Sequence, residues 1–233
     1  MGEHGLIAMR SCRGALVAVA LSAAVGFAAA GEASAPVAVV VHVDVGEAPE
    51  LAAWAELAKR LVEEWHPRIA ELPASDGVRP PGEIKIVFKK ALQGVAATSG
   101  TTITIAANWV KQHPDDYGMV VHELTHAVQA YPRTEAGWLV EGIADYVRFF
   151  RFEPQAQLAA VDPARQSYRD GYRTTAMFLA WVEAEHDKEI VRKLNEALRR
   201  SRYRYELFHE YTGKSLDRLW ADFLESPAAR GRS

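Results

Sequence analysis

The sequence predicts an α+β fold: a small mixed sheet in the N-terminal part and helices in the C-terminal part. Three observations predict it. A β-branched run, "PVAVVVHVDV" (36–45), and an alternating run, "EIKIVFKK" (83–90), flank an amphipathic stretch at 49–71. A second β-rich segment, "GVAATSGTTITIAANWV" (94–110), follows these. Beyond residue 113 the hydrophobic period becomes helical almost to the end of the chain.

The first 35 residues stand apart. Arg10 and Arg13 precede an uncharged run, "GALVAVALSAAVGFAAA" (14–30), and then the small residues of "GEASAPV". A basic start, a short apolar run and a small-residue site are the layout of a secretory signal, with cleavage expected after Ala30 or Ala35. The run is short and alanine-rich for a membrane span, so no membrane attachment is expected after cleavage. Cys12, the single cysteine, lies ahead of the apolar run, where it cannot be the lipid-modified cysteine that follows such a run. The exported chain would therefore have no disulfide, leaving its core and a metal to hold it.

The 233 residues carry a formal net charge of −3. Loss of residues 1–35 removes Glu3, Glu32, Arg10 and Arg13, two acids and two bases, so the balance is unchanged. No basic face is clustered, which argues against a nucleic-acid partner. With 49% hydrophobic residues the chain can bury one sizeable core, expected over residues 36–225.

The elements follow in order. Residues 36–45 read as a buried strand. Leu51, Trp54, Leu57, Ala58, Leu61, Val62 and Trp65 form one stripe of a helix over 49–71. The alternating run at 83–90 is a second strand, and strand–helix–strand implies a parallel crossover. "TSGTT" marks a hairpin whose first strand, Val95, Ala96, Ala97 and Thr98, is short and polar and suits a sheet edge that an extended peptide could join. Asp115 or Asp116 can cap the helix carrying "MVVHELTHAVQAY". "GWLVEGIADYVRFF" (137–150) is a further helix with Trp138, Leu139, Ile143 and Tyr146 on its apolar face. Amphipathic helices continue from residue 169, and residues 226–233 read as a flexible tail.

His122 and His126 stand four apart, which places both rings on one helical face within reach of a single metal ion. Glu123 flanks the pair, placed to reach a water on the metal rather than the metal itself. Two histidines leave a third ligand to find. Gln129 and Pro132 occupy the positions where a glycine turn and a downstream histidine would stand, and that arrangement is excluded. His42, His66, His113, His186 and His209 read as surface or structural histidines. Glu141 is the better third ligand, with Asp145 one turn later placed to accept from the far nitrogen of a ligand histidine. Carboxylates in the apolar setting "WLVEGIADYV" need partners if buried. Gly142 between them would let this helix pack closely on the His122 helix.

"VVHELTHAVQ", "GWLVEGIADYVRF", "GYRTTAMFLAWV", "VRKLNEALR" and "TGKSLDRLW" together resemble the basic secretory protein family, zinc-peptidase-like secreted proteins of plants and bacteria. The likeness spans about residues 36–225. It implies a zincin-like fold whose third ligand is a glutamate, with His122, His126 and Glu141 matching ligands of one Zn2+, Glu123 the general base and Asp145 the carboxylate behind a ligand histidine. The chain departs from the family in charge, being mildly acidic. The activity implied is hydrolysis of a peptide or protein substrate. Tyr172, with Tyr168 behind it, is the candidate donor to the oxyanion. A zinc hydrolase acting on other substrates and a non-catalytic defence or binding module are the competing readings; the presence of Glu123 speaks against the second.

Overall fold

The computed structural model describes residues 39–71, 79–132 and 134–232, all within one compact unit spanning Pro36–Ser233. The secretory-signal reading of residues 1–35 lies outside the described residues. Within them the fold is α+β, with four strands, eight α-helices and a helical C-terminal part.

Strand β1 (Val40–Asp44) leads through helix α1 (Ala52–Glu71) to strand β2 (Glu83–Lys89), which pairs with it in parallel, Val41 opposite Ile84 and Val43 opposite Ile86. The hairpin strands β3 (Ala96–Ser99) and β4 (Thr102–Ala106) are antiparallel, and β4 pairs in parallel with β2. The order β1-β2-β4-β3 puts β1 and β3 at the edges. This corrects the reading of 36–45 as a buried strand. With a single neighbour among the described residues, β1 buries Val41 while Val40 is 55% exposed. The β-branched run is apolar on both faces, but only one of them is covered.

Helix α1 packs on β1, and helix α3 (Gly118–Gln129) packs on α1, β3 and β4. Ile84, Ile86, Phe88, Ile103 and Ile105 from the sheet are buried with Ala58, Val62 and Ile69 of α1 and Val120, Val121 and Leu124 of α3. Leu57, placed on the α1 stripe by its spacing, is 45% exposed at the margin of that face. The entry to α3 is fixed from α1: the Trp54 indole donates to the Pro114 carbonyl at 2.7 Å and stacks on Tyr117. Asp116 accepts from the Met119 amide at 3.3 Å. A short helix α2 (Ala107–Gln112) links β4 to this region.

Helix α4 (Gly137–Val147) ends in a π-helical turn, Arg148–Phe152, where a continuous helix to residue 150 was expected. Arg148 bonds Asp116 at 2.7 Å and Glu153 at 3.2 Å, joining this turn to the start of α3. The C-terminal helices are α5 (Tyr172–Glu185), α6 (Ile190–Arg199), α7 (Glu206–Thr212) and α8 (Leu216–Glu225). Phe178 of α5 contacts the rings of Phe208, Trp220 and Phe223, which form the core of this part. Gly142 faces α5 rather than α3, correcting the sequence reading: a Cβ there would stand 2.2 Å from Thr175 Cγ2.

The segment read as a tail is tied down. Pro227–Arg230 forms a 3-10 turn that buries Ala229, and Leu158 and Arg232 exchange backbone hydrogen bonds at 2.9 and 2.8 Å. The Arg232 guanidinium also donates to the carbonyls of Pro154 and Phe149.

Candidate metal centre

Helix α3 supplies two imidazoles from adjacent turns, and α4, running on from a short connection, supplies a carboxylate facing them. His122 Nε2 and His126 Nε2 lie 3.1 Å apart. Glu141 Oε2 lies 3.3 Å from the first and 3.4 Å from the second. Two ligands about 2.1 Å from zinc at a tetrahedral angle stand about 3.4 Å from each other, so three such atoms so spaced frame one tetrahedral face. Among the described residues this is the group of three or more His, Cys, Asp or Glu that could hold a metal ion. Two imidazoles and one carboxylate are a donor set suited to zinc.

The second nitrogen of each ring is engaged. His122 Nδ1 lies 2.7 Å from Asp145 Oδ1, and His126 Nδ1 lies 3.3 Å from Gln129 Oε1. In the neutral ring each bond favours the proton on Nδ1 and leaves Nε2 as the lone-pair donor toward the shared point. Asp145 and Gln129 are themselves buried. From α6, Arg199 donates to the carbonyls of Val128 at 3.0 Å and Gln129 at 3.2 Å, holding the last turn of α3, whose chain then reverses through Ala130 at φ +46°. Gln129 entered the sequence reading only as the absence of a glycine; its contact with His126 was missed.

Burial alone would lower the His122 pKa, but the hydrogen bonds with Asp145 and then Glu141 outweigh it and raise the group to about 9. Burial would raise Glu141, yet the bonds from His122 and His126 bring it down to about 2. Without metal the centre is thus a charged pair, imidazolium against carboxylate. Its open side is at Glu141, whose side chain is 31% exposed against 11% for His122.

Glu123 is buried beside the pair, and its carboxylate Oε2 accepts from Thr98 Oγ1 at 2.7 Å. Thr98 belongs to β3, so the strand read as Val95, Ala96, Ala97 and Thr98 runs beside Glu123. The observed strand is shifted by one residue to Ala96–Ser99, and the Val95 carbonyl accepts from the Ala106 amide at 3.0 Å.

Tyr172 opens α5 with its ring 13° from parallel to His122, centroids 6.2 Å apart, and is 55% exposed. Its φ of +46° is uncommon for a bulky residue. The charge of Glu141, then burial, pushes its pKa upward, which keeps the phenol a donor. Gly171 before it has φ +74°, and a Cβ there would stand 3.3 Å from Glu141 Cβ, so the turn lies against the ligand carboxylate. Tyr168 points elsewhere: its hydroxyl donates to Asp217 at 2.9 Å.

Of the other histidines, His42 pairs with Glu83, His113 stacks on Trp109 and His66 is fully buried in α1, which continues past Pro67. None of them joins the cluster. No helix among the described residues is long and apolar enough to cross a membrane.

A comparison with curated proteins gave no match. A family described as "BSP: Peptidase of plants and bacteria" matches residues 53–223, which include every residue of the cluster, its supporting groups and β3.

Proposed function

The chain belongs to this family of peptidases of plants and bacteria, and from that premise we propose that it is an exported zinc metallopeptidase. In this reading His122, His126 and Glu141 hold one Zn2+ and Glu123 is the general base. The observation that supports it is the spacing of the three ligand atoms, 3.1, 3.3 and 3.4 Å, with the Glu123 carboxylate on the same helix as two of them. Export rests on the signal-like residues 1–35.

Zinc bound in this centre would acidify a water molecule and polarise a carbonyl. The chain's own groups supply the rest. Glu123 takes the proton of the attacking water and later gives it to the leaving amine. Asp145 and Gln129 keep the two Nε2 atoms aimed at one point. Tyr172 offers a phenolic proton to the developing oxyanion from the exposed side of the centre. The β3 edge, with β4 as its one neighbour among the described residues, has backbone groups placed to pair with an extended peptide, and Ala96 and Ala97 leave its surface unobstructed.

Metal analysis of the purified protein and of His126→Ala, beside cleavage of an unstructured protein with and without chelator, tests this. Expected are one zinc per chain, loss of zinc in His126→Ala, and cleavage stopped by the chelator. In Glu123→Gln zinc should stay and turnover should fall by about 10²–10⁴-fold, the usual weight of a general base. Undiminished cleavage by that variant would remove Glu123 from the role.

A further inference from the structure

We infer that Thr98 is a positioning residue for the Glu123 carboxylate, so that the sheet edge and the base form one bonded unit. The inference rests on the proposed peptidase reading and gives Thr98, so far only part of the substrate-binding edge, a second role toward the base.

Thr98 sits in a short edge strand between exposed Ala97 and Ser99. It pairs with Ile103 across the hairpin, and directly opposed residues of an antiparallel pair share a face. Ile103 is fully buried, so Thr98 points to the inner side of the sheet, where α3 packs. There its hydroxyl lies 2.7 Å from Glu123 Oε2 and 3.0 Å from the Glu123 carbonyl oxygen.

A glutamate has three side-chain torsions, and a buried carboxylate without a fixed partner can adopt several of them. The hydroxyl has one proton, and the shorter contact to the charged Oε2 takes it and fixes the carboxylate against Thr98, with the Glu123 carbonyl at 3.0 Å as the weaker competing acceptor. Oε1 is left to receive a proton. The β-branch restricts the Thr98 χ1 torsion, which defines the direction of the hydroxyl. A peptide laid along β3 would then be held at a set distance from the base by the same residue. Misplacement by about 1 Å can reduce rate by about a hundredfold.

The test compares zinc-loaded Thr98→Val, Thr98→Ser and Thr98→Ala with the wild type. Expected for Thr98→Val is a kcat lower by about 10- to 100-fold with KM within about threefold, and zinc content unchanged. Thr98→Ser keeps the donor and should recover most of the rate; Thr98→Ala should behave as Thr98→Val. Crystal structures of the zinc-loaded proteins give a second readout, in which the Glu123 carboxylate should keep its place in Thr98→Ser and leave it in Thr98→Val. Wild-type rate in Thr98→Val and Thr98→Ala, or a loss in Thr98→Ser equal to that in Thr98→Val, overturns the inference. If the wild type itself cleaves no peptide, the peptidase reading fails separately. The carboxylate position in the crystals then decides for Thr98: displaced in Thr98→Val, the inference stands; unmoved, it falls.

Discussion

Asp145 Oδ1 lies 2.7 Å from His122 Nδ1, a contact between helices α4 and α3 with both side chains nearly out of solvent. A buried carboxylate on a ligand imidazole fixes the ring's tautomer and raises its basicity, and losing such a partner typically costs 10- to 100-fold in metal affinity. Asp145→Asn keeps the shape, removes the charge and replaces one carboxylate oxygen with an NH2 donor, leaving a single acceptor for the ring. It is expected to weaken zinc binding by about tenfold, at the lower end of that range, as read by competition with a chromophoric chelator. Unchanged affinity would mean that Asp145 serves packing alone.

The same contact sets a pH dependence. His122 is raised from 6.5 to about 9, so its bonds favour folding most fully below pH 6.5 and lose that effect as pH rises toward 9. Glu141 is lowered from 4.5 to about 2, so its contribution is present above 4.5 and lost as pH falls toward 2. The metal-free centre therefore stabilises most between about pH 4.5 and 6.5. Zinc held as proposed would need the neutral imidazole, and its binding would expel the His122 proton at pH below about 9. Apparent zinc affinity should rise by up to about tenfold per pH unit from 6.5 to 9 for that one proton, while the melting temperature of the metal-free protein declines over the same interval. Zinc affinity that stays flat from pH 6.5 to 9 would contradict the assignment of the proton to His122.

Much of this was legible in the sequence, and the reasons it was legible are local. Four-residue spacing decides that His122 and His126 share a face, whatever the tertiary fold. Carboxylates at Glu141 and Asp145 in an apolar helix must find partners, and nearby histidines are the partners at hand. Sheet membership was equally plain in the alternation of 83–90 and the turn at "TSGTT". What the sequence withheld depends on packing between distant segments. Thr98 and Gln129 carry no motif, and their contacts exist only because β3 meets α3 and because the last turn of α3 curls under His126. Gly142 could serve either neighbouring helix, and nothing in "VEGIAD" says which. The exposure of Val40 follows from strand order, which a β-branched run does not encode. Helix α7 is short and mostly charged or polar, burying only Leu207 and Phe208, and so gives little periodic signal.

The close approach at Gly142 makes a stability prediction. A methyl group there would overlap Thr175 Cγ2, 2.2 Å from the new Cβ, and Thr175 is fully buried with its hydroxyl bonded to the Tyr168 carbonyl at 2.7 Å. The side chain has little room to yield. Gly142→Ala is expected to destabilise by about 1–3 kcal/mol, the usual cost of overpacking, despite the better helix propensity of alanine. Denaturant unfolding of Gly142→Ala and of Gly142→Ala with Thr175→Ser measures it. The double variant removes the clashing methyl and keeps the hydroxyl, but the residue 175 Cβ still stands 2.6 Å from the new Cβ, so it should regain only part of the loss. Equal destabilisation in both would place the strain elsewhere.

Gln129 offers the sharpest contrast with Asp145. Its contact to His126 is longer, 3.3 Å, and neutral, so it holds the ring less firmly. Its Nε2 is buried without a hydrogen-bond partner, an arrangement that costs roughly 1–3 kcal/mol. Gln129→Leu removes the weak support and the unpaired donor together. Zinc affinity is expected to fall by a few-fold, less than in Asp145→Asn, while the melting temperature of the metal-free protein holds or rises. The two variants thus separate the functions: Asp145→Asn lowers both affinity and metal-free stability, because the His122 imidazolium loses its charged partner, whereas Gln129→Leu lowers affinity alone. Chelator competition and thermal unfolding on the same preparations read both quantities. A metal-free Gln129→Leu protein markedly less stable than wild type would show that the glutamine is there for the fold and not for His126.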